Sequence, residues 1–191
     1  EEALRIADKF GYPLVMKIES ADIPHKSDAG GVKLNIRSKE EVLKSFEEIM
    51  TNVKNYNPDA YINGILMQEM LPKGLELILG VKNDPLFGPM ILCGLGGVFV
   101  EIFKDVSLYP APLNHKEALD MIKSLKGYPL LTGYRGAKEL DVESMADLIV
   151  KTSEFAVAYK ETVAEVDINP IFLYEQGDGL SVADSLVLIK E

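Results

Sequence analysis

The residues best placed to do chemistry lie near the C-terminal end, where Asp167-Ile168-Asn169-Pro170 sets a carboxylate and an amide oxygen at i and i+2. On an extended chain that spacing puts both on one side of a strand. Pairing Asn169 with Asp184 places the midpoint between Gln176 and Gly177, inside the turn-forming run Glu175-Gln176-Gly177-Asp178-Gly179. Asp184 is therefore expected beside Asn169. Two carboxylates and an amide are hard oxygen donors of the kind that suit Mg²⁺, which accepts few protein ligands and completes its sphere with water and phosphate oxygens. The same three residues would equally suit the solvated face of an edge hairpin, since Asp and Asn are common near turns.

Lys17 is a lone charge within Leu14-Val15-Met16-Lys17-Ile18. A buried ammonium there needs an anion or a carboxylate, whereas a strand whose alternate residues face water needs neither. Glu69 in Met67-Gln68-Glu69-Met70 and Glu76 in Leu75-Glu76-Leu77 raise the same choice. His25 lies in the polar stretch Asp22-Ile23-Pro24-His25-Lys26-Ser27-Asp28-Ala29-Gly30-Gly31-Val32, and the amides of Gly30 and Gly31 are of a type that can approach a phosphate closely. A neutral imidazole can attack phosphorus and hold the group as a reactive phosphoramidate near pH 7. It can also be a plain surface group. The other histidine, His115, sits beside a helix cap, where a surface role is sufficient. Arg135, one of three arginines, stands in Gly133-Tyr134-Arg135-Gly136, where it could reach a phosphate as a fork donor or simply face solvent. Gly94-Leu95-Gly96-Gly97 is not a dinucleotide fingerprint if Val98-Phe99-Val100-Glu101 is a strand, because that fingerprint requires a helix after the glycines.

The elements that must position these groups can be read from periodicity. Leu4, Ile6, Ala7 and Phe10 form a helical stripe that stops at Gly11, followed by a short strand over 14–18 and another over 31–36 across the long polar loop. Ser38 with Glu41 reads as a capping box for a helix over 39–54. Short strands are expected over 65–70, 75–81, 89–92 and 98–108. Asn114 with Glu117 starts a helix over 115–124, and Asp141 caps another over 142–158. Strands over 164–174 and 180–189 close the chain. Strands and helices mix without strict alternation, so the class is α+β with mostly antiparallel sheets. The abrupt opening on a helix leads to the expectation that an N-terminal element precedes this stretch.

Composition narrows the functions. The 191 residues carry 20 Lys and Arg against 30 Asp and Glu, a formal net charge of −10, which disfavours a broad nucleic-acid-binding face. The longest apolar stretch, 86–100, is interrupted by Pro89 and four glycines and is too short to span a bilayer. With a single cysteine, Cys93, and no basic, apolar leader among the first residues, the expected location is a reducing cytoplasm.

Taken together, Tyr12-Pro13-Leu14-Val15-Met16-Lys17, the histidine loop 22–32, Phe87-Gly88-Pro89, Gly94-Leu95-Gly96-Gly97-Val98-Phe99-Val100-Glu101, Gly127-Tyr128-Pro129-Leu130-Leu131 and Asp167-Ile168-Asn169-Pro170 resemble the nucleotide-binding beta subunit of ADP-forming acetate-CoA ligases, or acyl-CoA synthetases. The resemblance implies an ATP-grasp fold of two α+β lobes, a nucleotide lobe over 1–70 and a C-terminal lobe with the metal-binding hairpin over 71–191, the N-terminal part being incomplete. It implies that His25 is the phosphohistidine and that Lys17, Glu69, Glu76, Gly30, Gly31 and Arg135 attend the nucleotide: Lys17 at its phosphates, Glu69 at the adenine hinge, Glu76 near the ribose. Asp167, Asn169 and Asp184 would hold Mg²⁺, with ATP and ADP as the nucleotides. The implied partner is an alpha subunit carrying the CoA-binding and ligase domains, in a heterotetramer. The implied reaction converts acyl-CoA, ADP and phosphate reversibly into acid, CoA and ATP. Two other readings share the fold: an ATP-grasp ligase without a histidine relay, and a nucleotide-sensing regulatory module of a fused acetyltransferase.

Overall fold

Gly11 ends the first helix, α1 (Glu2–Phe10), by adopting φ 81, a conformation open to a residue without Cβ. The computed structural model describes residues 1–190, apart from the side chains of Val98 and Glu101. The chain divides into two compact units, Glu1–Leu71 and a second from Pro72 onward.

In the first unit, β1 (Leu14–Glu19) is the centre of an antiparallel sheet, flanked by β2 (Val32–Ile36) and β3 (Gly64–Glu69). A strand covered by helices on one face only is expected to alternate, yet residues 14–18 are all buried, so the second face of β1 is covered too. Helix α2 (Lys39–Tyr56) starts where the Ser38 hydroxyl accepts the Glu41 N–H at 3.2 Å. The reciprocal half of the expected capping box is shifted by one residue, because the Glu41 carboxylate accepts from Arg37 N–H at 2.6 Å. Val42, Ile49 and Val53 of α2 and Ala7 of α1 pack on Leu14, Met16 and Ile18. Each of the Val, Leu, Ile and Met side chains contributes about 1.5–3 kcal/mol through burial.

The second unit is a six-stranded antiparallel sheet, five strands running in the order β6-β5-β4-β7-β8 and the sixth, β9, also pairing with β7. The ranges are β4 (Leu75–Asp84), β5 (Gly88–Leu95), β6 (Val106–Pro110), β7 (Val163–Leu173), β8 (Leu180–Val182) and β9 (Ser185–Ile189). Leu77, Leu79 and Val81 alternate inward against the two longer helices, α4 (His115–Lys123) and α5 (Val142–Ala158). Asn114 and Glu117 form the complete capping box at the start of α4.

Two expected strands differ. The stretch 98–108 opens instead with a single helical turn, α3 (Val98–Glu101), and becomes a strand only at Val106. The apolar run cannot distinguish these outcomes. The turn forms because Gly97 reverses the chain at φ 57 and the Phe99 carbonyl accepts from both Phe103 and Asp105 N–H. A helix does therefore follow the glycines, but it is one turn long within an antiparallel sheet, so the dinucleotide fingerprint is excluded by topology. The strand expected over 180–189 is broken at Ala183 and Asp184 into β8 and β9.

Candidate functional site

In the first unit, Lys17 is 8% exposed, which removes the reading of a strand face open to water. Directly paired residues share a sheet face, and Lys17 pairs with Leu66 and Val32, while the preceding Val15 pairs with Gln68. This face lies opposite the one that carries α1 and α2. Glu69 pairs with Leu14 at the end of β3, so its exposed side chain falls on the helix-bearing side. Lys17 and Glu69 are thus on opposite faces of one sheet. Gln68 is the polar residue of β3 that shares the Lys17 face, a neighbour that only the register discloses.

His25 is exposed in the loop joining β1 to β2. The loop is anchored at both ends, by Ile23 at 1% exposure and Ala29 at 4%. Its turn is closed by Ala29 N–H to His25 O at 3.4 Å, Gly30 N–H to Ser27 O at 3.0 Å and Gly31 N–H to Lys26 O at 2.8 Å. The amides of Gly30 and Gly31, expected as phosphate donors, are therefore engaged inside the loop. These glycines serve packing instead. A Cβ on Gly31 would stand 2.5 Å from Ile18 Cγ2, and one on Gly30 would stand 2.8 Å from Asn52 Nδ2.

In the second unit, Asp167 pairs with Gly80 on one side and Leu186 on the other, while Val166 and Ile168 pair with Val81 and Leu79 of the helix-covered face. Asp167 accordingly points to the face without helices. The β4–β7 register slips by one between Leu77 and Leu79, so Ile78 opposes both Asn169 and Pro170, a bulge at a residue that lacks an N–H. The register from β7 to β8 and β9 runs through without a slip there, and Asn169 N–H donates to Asp184 O at 3.1 Å. Asp184 sits in the gap between β8 and β9, its carboxylate accepting Ser185 N–H at 2.9 Å. Two half-buried carboxylates and an exposed amide thus converge on one stretch of ribbon. Among the described residues no group of three or more His, Cys, Asp or Glu could hold a metal. A cation here would depend on this mixed oxygen set and on oxygens from a bound ligand, a division of labour that suits Mg²⁺.

Glu76 is exposed on the helix-free side of β4, and the glycine segment folds against it. Gly96 N–H donates to Glu76 O at 2.7 Å, and a Cβ on Gly96 would lie 3.0 Å from Glu76 Cβ. Arg135 is placed elsewhere. It adopts φ 55 with its guanidinium 5.4 Å from the Tyr134 ring centre. Its loop leads on to Leu140, which bridges to Glu175 at the tip of the β7–β8 hairpin.

Two buried carboxylates, one with no site role assigned from sequence and one read only as a cap, position these segments. Asp141 caps α5 through Ser144 N–H at 3.1 Å and also accepts Gly177 N–H at 3.0 Å and Gly179 N–H at 3.1 Å. The Ser144 amide first, then the two glycine amides, hold its carboxyl below the usual range although burial acts the other way. Asp105 accepts Lys126 N–H at 2.8 Å and Gly127 N–H at 2.7 Å, fixing the end of the glycine segment. Burial, with Asp105 nearby, pushes the Cys93 thiol up to about 12, so Cys93 behaves as core.

This arrangement of two α+β units, with a buried lysine in one and an acidic ribbon in the other, matches the ATP-grasp domain family over residues 1–189. The chain belongs to the ATP-grasp family. Among ATP-grasp proteins it is 52% identical over 175 residues to the beta subunit of ADP-forming acetate–CoA ligase I of Pyrococcus furiosus, a match that covers 92% of this chain and 75% of that one. The ATP-grasp chain is thereby a ligase of the ADP-forming acid–CoA class. A crystal structure from Pyrococcus horikoshii superposes with a TM-score of 0.94 at 44% identity, covering 99% of this chain and 80% of the other. Acetyl-coenzyme A synthetase 1 of Ca. Korarchaeum cryptofilum gives a TM-score of 0.81 at 42% identity, covering 99% and 82%. That protein was solved with coenzyme A and Mg-AMPPCP, its phosphohistidine segment pointing towards the nucleotide binding site. Among the described residues of the present ATP-grasp chain, no helix is long and apolar enough to cross a membrane.

Proposed function

We propose that this chain is the nucleotide-binding subunit that passes a phosphoryl group through His25 to ADP, so that acyl-CoA, ADP and phosphate yield acid, CoA and ATP reversibly. The observation that carries the reading is His25 itself: an exposed imidazole on a loop pinned at both ends, in a chain 42% identical to a synthetase with a phosphohistidine segment. In the first half of the transfer an imidazole nitrogen attacks the phosphorus of an acyl phosphate; a P–N bond forms and the carboxylate of the acid departs. In the second half a terminal oxygen of ADP attacks the same phosphorus, the P–N bond breaks, and the imidazole recovers its lone pair as ATP forms. Phosphoryl transfer asks mainly for positioning and charge neutralisation. The buried Lys17 ammonium would face the nucleotide phosphates from its helix-free sheet face. Glu76 would attend the ribose, and Glu69, on the opposite sheet face from Lys17, would meet the adenine only past the end of β3. Arg135, if it contributes, would have to leave the Tyr134 ring.

Asp167, Asn169 and Asp184 are the residues that would hold Mg²⁺, which when bound would neutralise phosphate charge. The acyl phosphate and CoA would be handled by an alpha subunit, and two of each subunit would form the working enzyme.

The test uses γ-labelled ATP with Mg²⁺ in the presence of the partner subunit. The expected result is an acid-labile, base-stable label on this chain that disappears in His25→Ala together with turnover. Turnover that survives in His25→Ala would refute the relay and leave an ATP-grasp ligase that transfers phosphate directly.

A further inference from the structure

Both ends of the His25 loop are clamped by hydrogen bonds to other elements of the first unit. At the first end, residues 19–22 run beside 61–63: Asn63 N–H donates to Glu19 O at 2.8 Å, the Ser20 hydroxyl to Tyr61 O at 2.7 Å, and Tyr61 N–H to the Asp22 carboxylate at 2.7 Å. Asp22 N–H closes this clasp on the Ser20 hydroxyl at 3.2 Å, and Ser20 is itself buried. At the second end, the Asn52 side chain on α2 donates to Gly30 O at 3.2 Å, and Ile18 N–H donates to Gly31 O at 2.8 Å. Gly30, at φ 63, lets the chain lie directly against Asn52.

Resting on the reading of His25 as carrier, we propose that Asp22 and Asn52 are positioning residues that confine movement of the carrier to residues 24–28. Five residues between two fixed points reach at most about 17 Å when extended, so the phosphoryl group is delivered within a small volume. If the clasps open, the free stretch grows to about twelve residues. Effective concentration falls as roughly the −3/2 power of length, which predicts a drop of about fourfold in transfer rate before any loss of orientation is counted.

Asp22 is required here only as an acceptor for Tyr61 N–H. Asp22→Asn, which keeps an acceptor oxygen, should therefore behave as the parent, whereas Asp22→Ala should not.

The experiment measures single-turnover labelling of His25 from γ-labelled ATP and Mg²⁺ in the assembled enzyme, with ATP affinity titrated separately and exchange of the Tyr61 amide followed by NMR or mass spectrometry. Asp22→Ala combined with Asn52→Ala, which opens both clasps, should slow labelling by about fourfold and each change alone by about twofold, with ATP affinity within about twofold of the parent. Asp22→Ala should accelerate exchange at Tyr61, and Asp22→Asn should restore both rate and protection. Parent-like labelling in Asp22→Ala and Asn52→Ala overturns the clamp. So does Asp22→Asn being as slow as Asp22→Ala, since charge rather than the clasp would then matter. If His25→Ala still becomes labelled, the carrier assignment itself fails; if it does not and the clamp variants run at parent rate, the clamp alone fails.

Discussion

Replacing Asp141 by alanine tests how the acidic ribbon is held. The side chain is 8% exposed and its two carboxylate oxygens satisfy three backbone donors, Ser144, Gly177 and Gly179, at 3.0–3.1 Å. Loss of the α5 cap costs about 1 kcal/mol. Each glycine amide left without its charged acceptor adds about 1 kcal/mol, which brings Asp141→Ala to about 3 kcal/mol. Asp141→Asn keeps a good capping oxygen but sets an NH₂ group against one set of donors, so about half that loss is expected. The pH dependence has a definite sign. The folded-state pKa lies below the ordinary Asp value near 3.9, so the carboxylate's stabilisation is complete above roughly pH 4–5 and fades as pH falls through the folded value. Urea unfolding followed by circular dichroism between pH 3 and 7, with amide exchange at Gly177 and Gly179, measures all three effects. A change below about 0.5 kcal/mol in Asp141→Ala, or a parent protein that weakens as pH rises from 5 to 7 through this group, would refute the reasoning.

Two further outcomes follow from packing. Gly31→Ala places a methyl 2.5 Å from Ile18 Cγ2 and 3.0 Å from Lys26 O, so β1 or the loop must shift; the expected loss is about 1–3 kcal/mol by denaturant titration, and an unchanged midpoint would contradict the close approach. Cys93, fully buried with its thiol pushed up to about 12, should resist iodoacetamide at pH 8 in the native protein and react promptly in urea, and fast native-state labelling would show that the core opens there.

Much of the site was legible because its signals are local. The spacing of Asp167 and Asn169, the turn after Glu175 and the alternation along both arms were enough to pair Asn169 with Asp184, since a hairpin's register follows from its turn. The α5 cap at Asp141 was legible for the same reason. The helical turn at 98–101 was not, because a run of Val and Phe after paired glycines is compatible with a strand or a helix, and hydrogen bonds to the Phe99 carbonyl decide between them. That the amides of Gly30 and Gly31 are engaged within the loop was not legible, because nothing local says that carbonyls three and five residues earlier will accept them.

Taken alone, the order of residues determined which groups can do chemistry here: one loop imidazole, one lysine in an apolar strand, and an acid–amide–acid set around a turn. It also determined the α+β class, because periodicity and caps are properties of neighbouring residues. Only the tertiary structure decided that Lys17 is buried, that Glu69 lies on the other face of its sheet, that Arg135 rests on Tyr134, and that Asp141 grips a turn 36 residues away. Those outcomes depend on which strands pair and which face the helices cover, and the energies that set them come from burial and from backbone donors far apart along the chain.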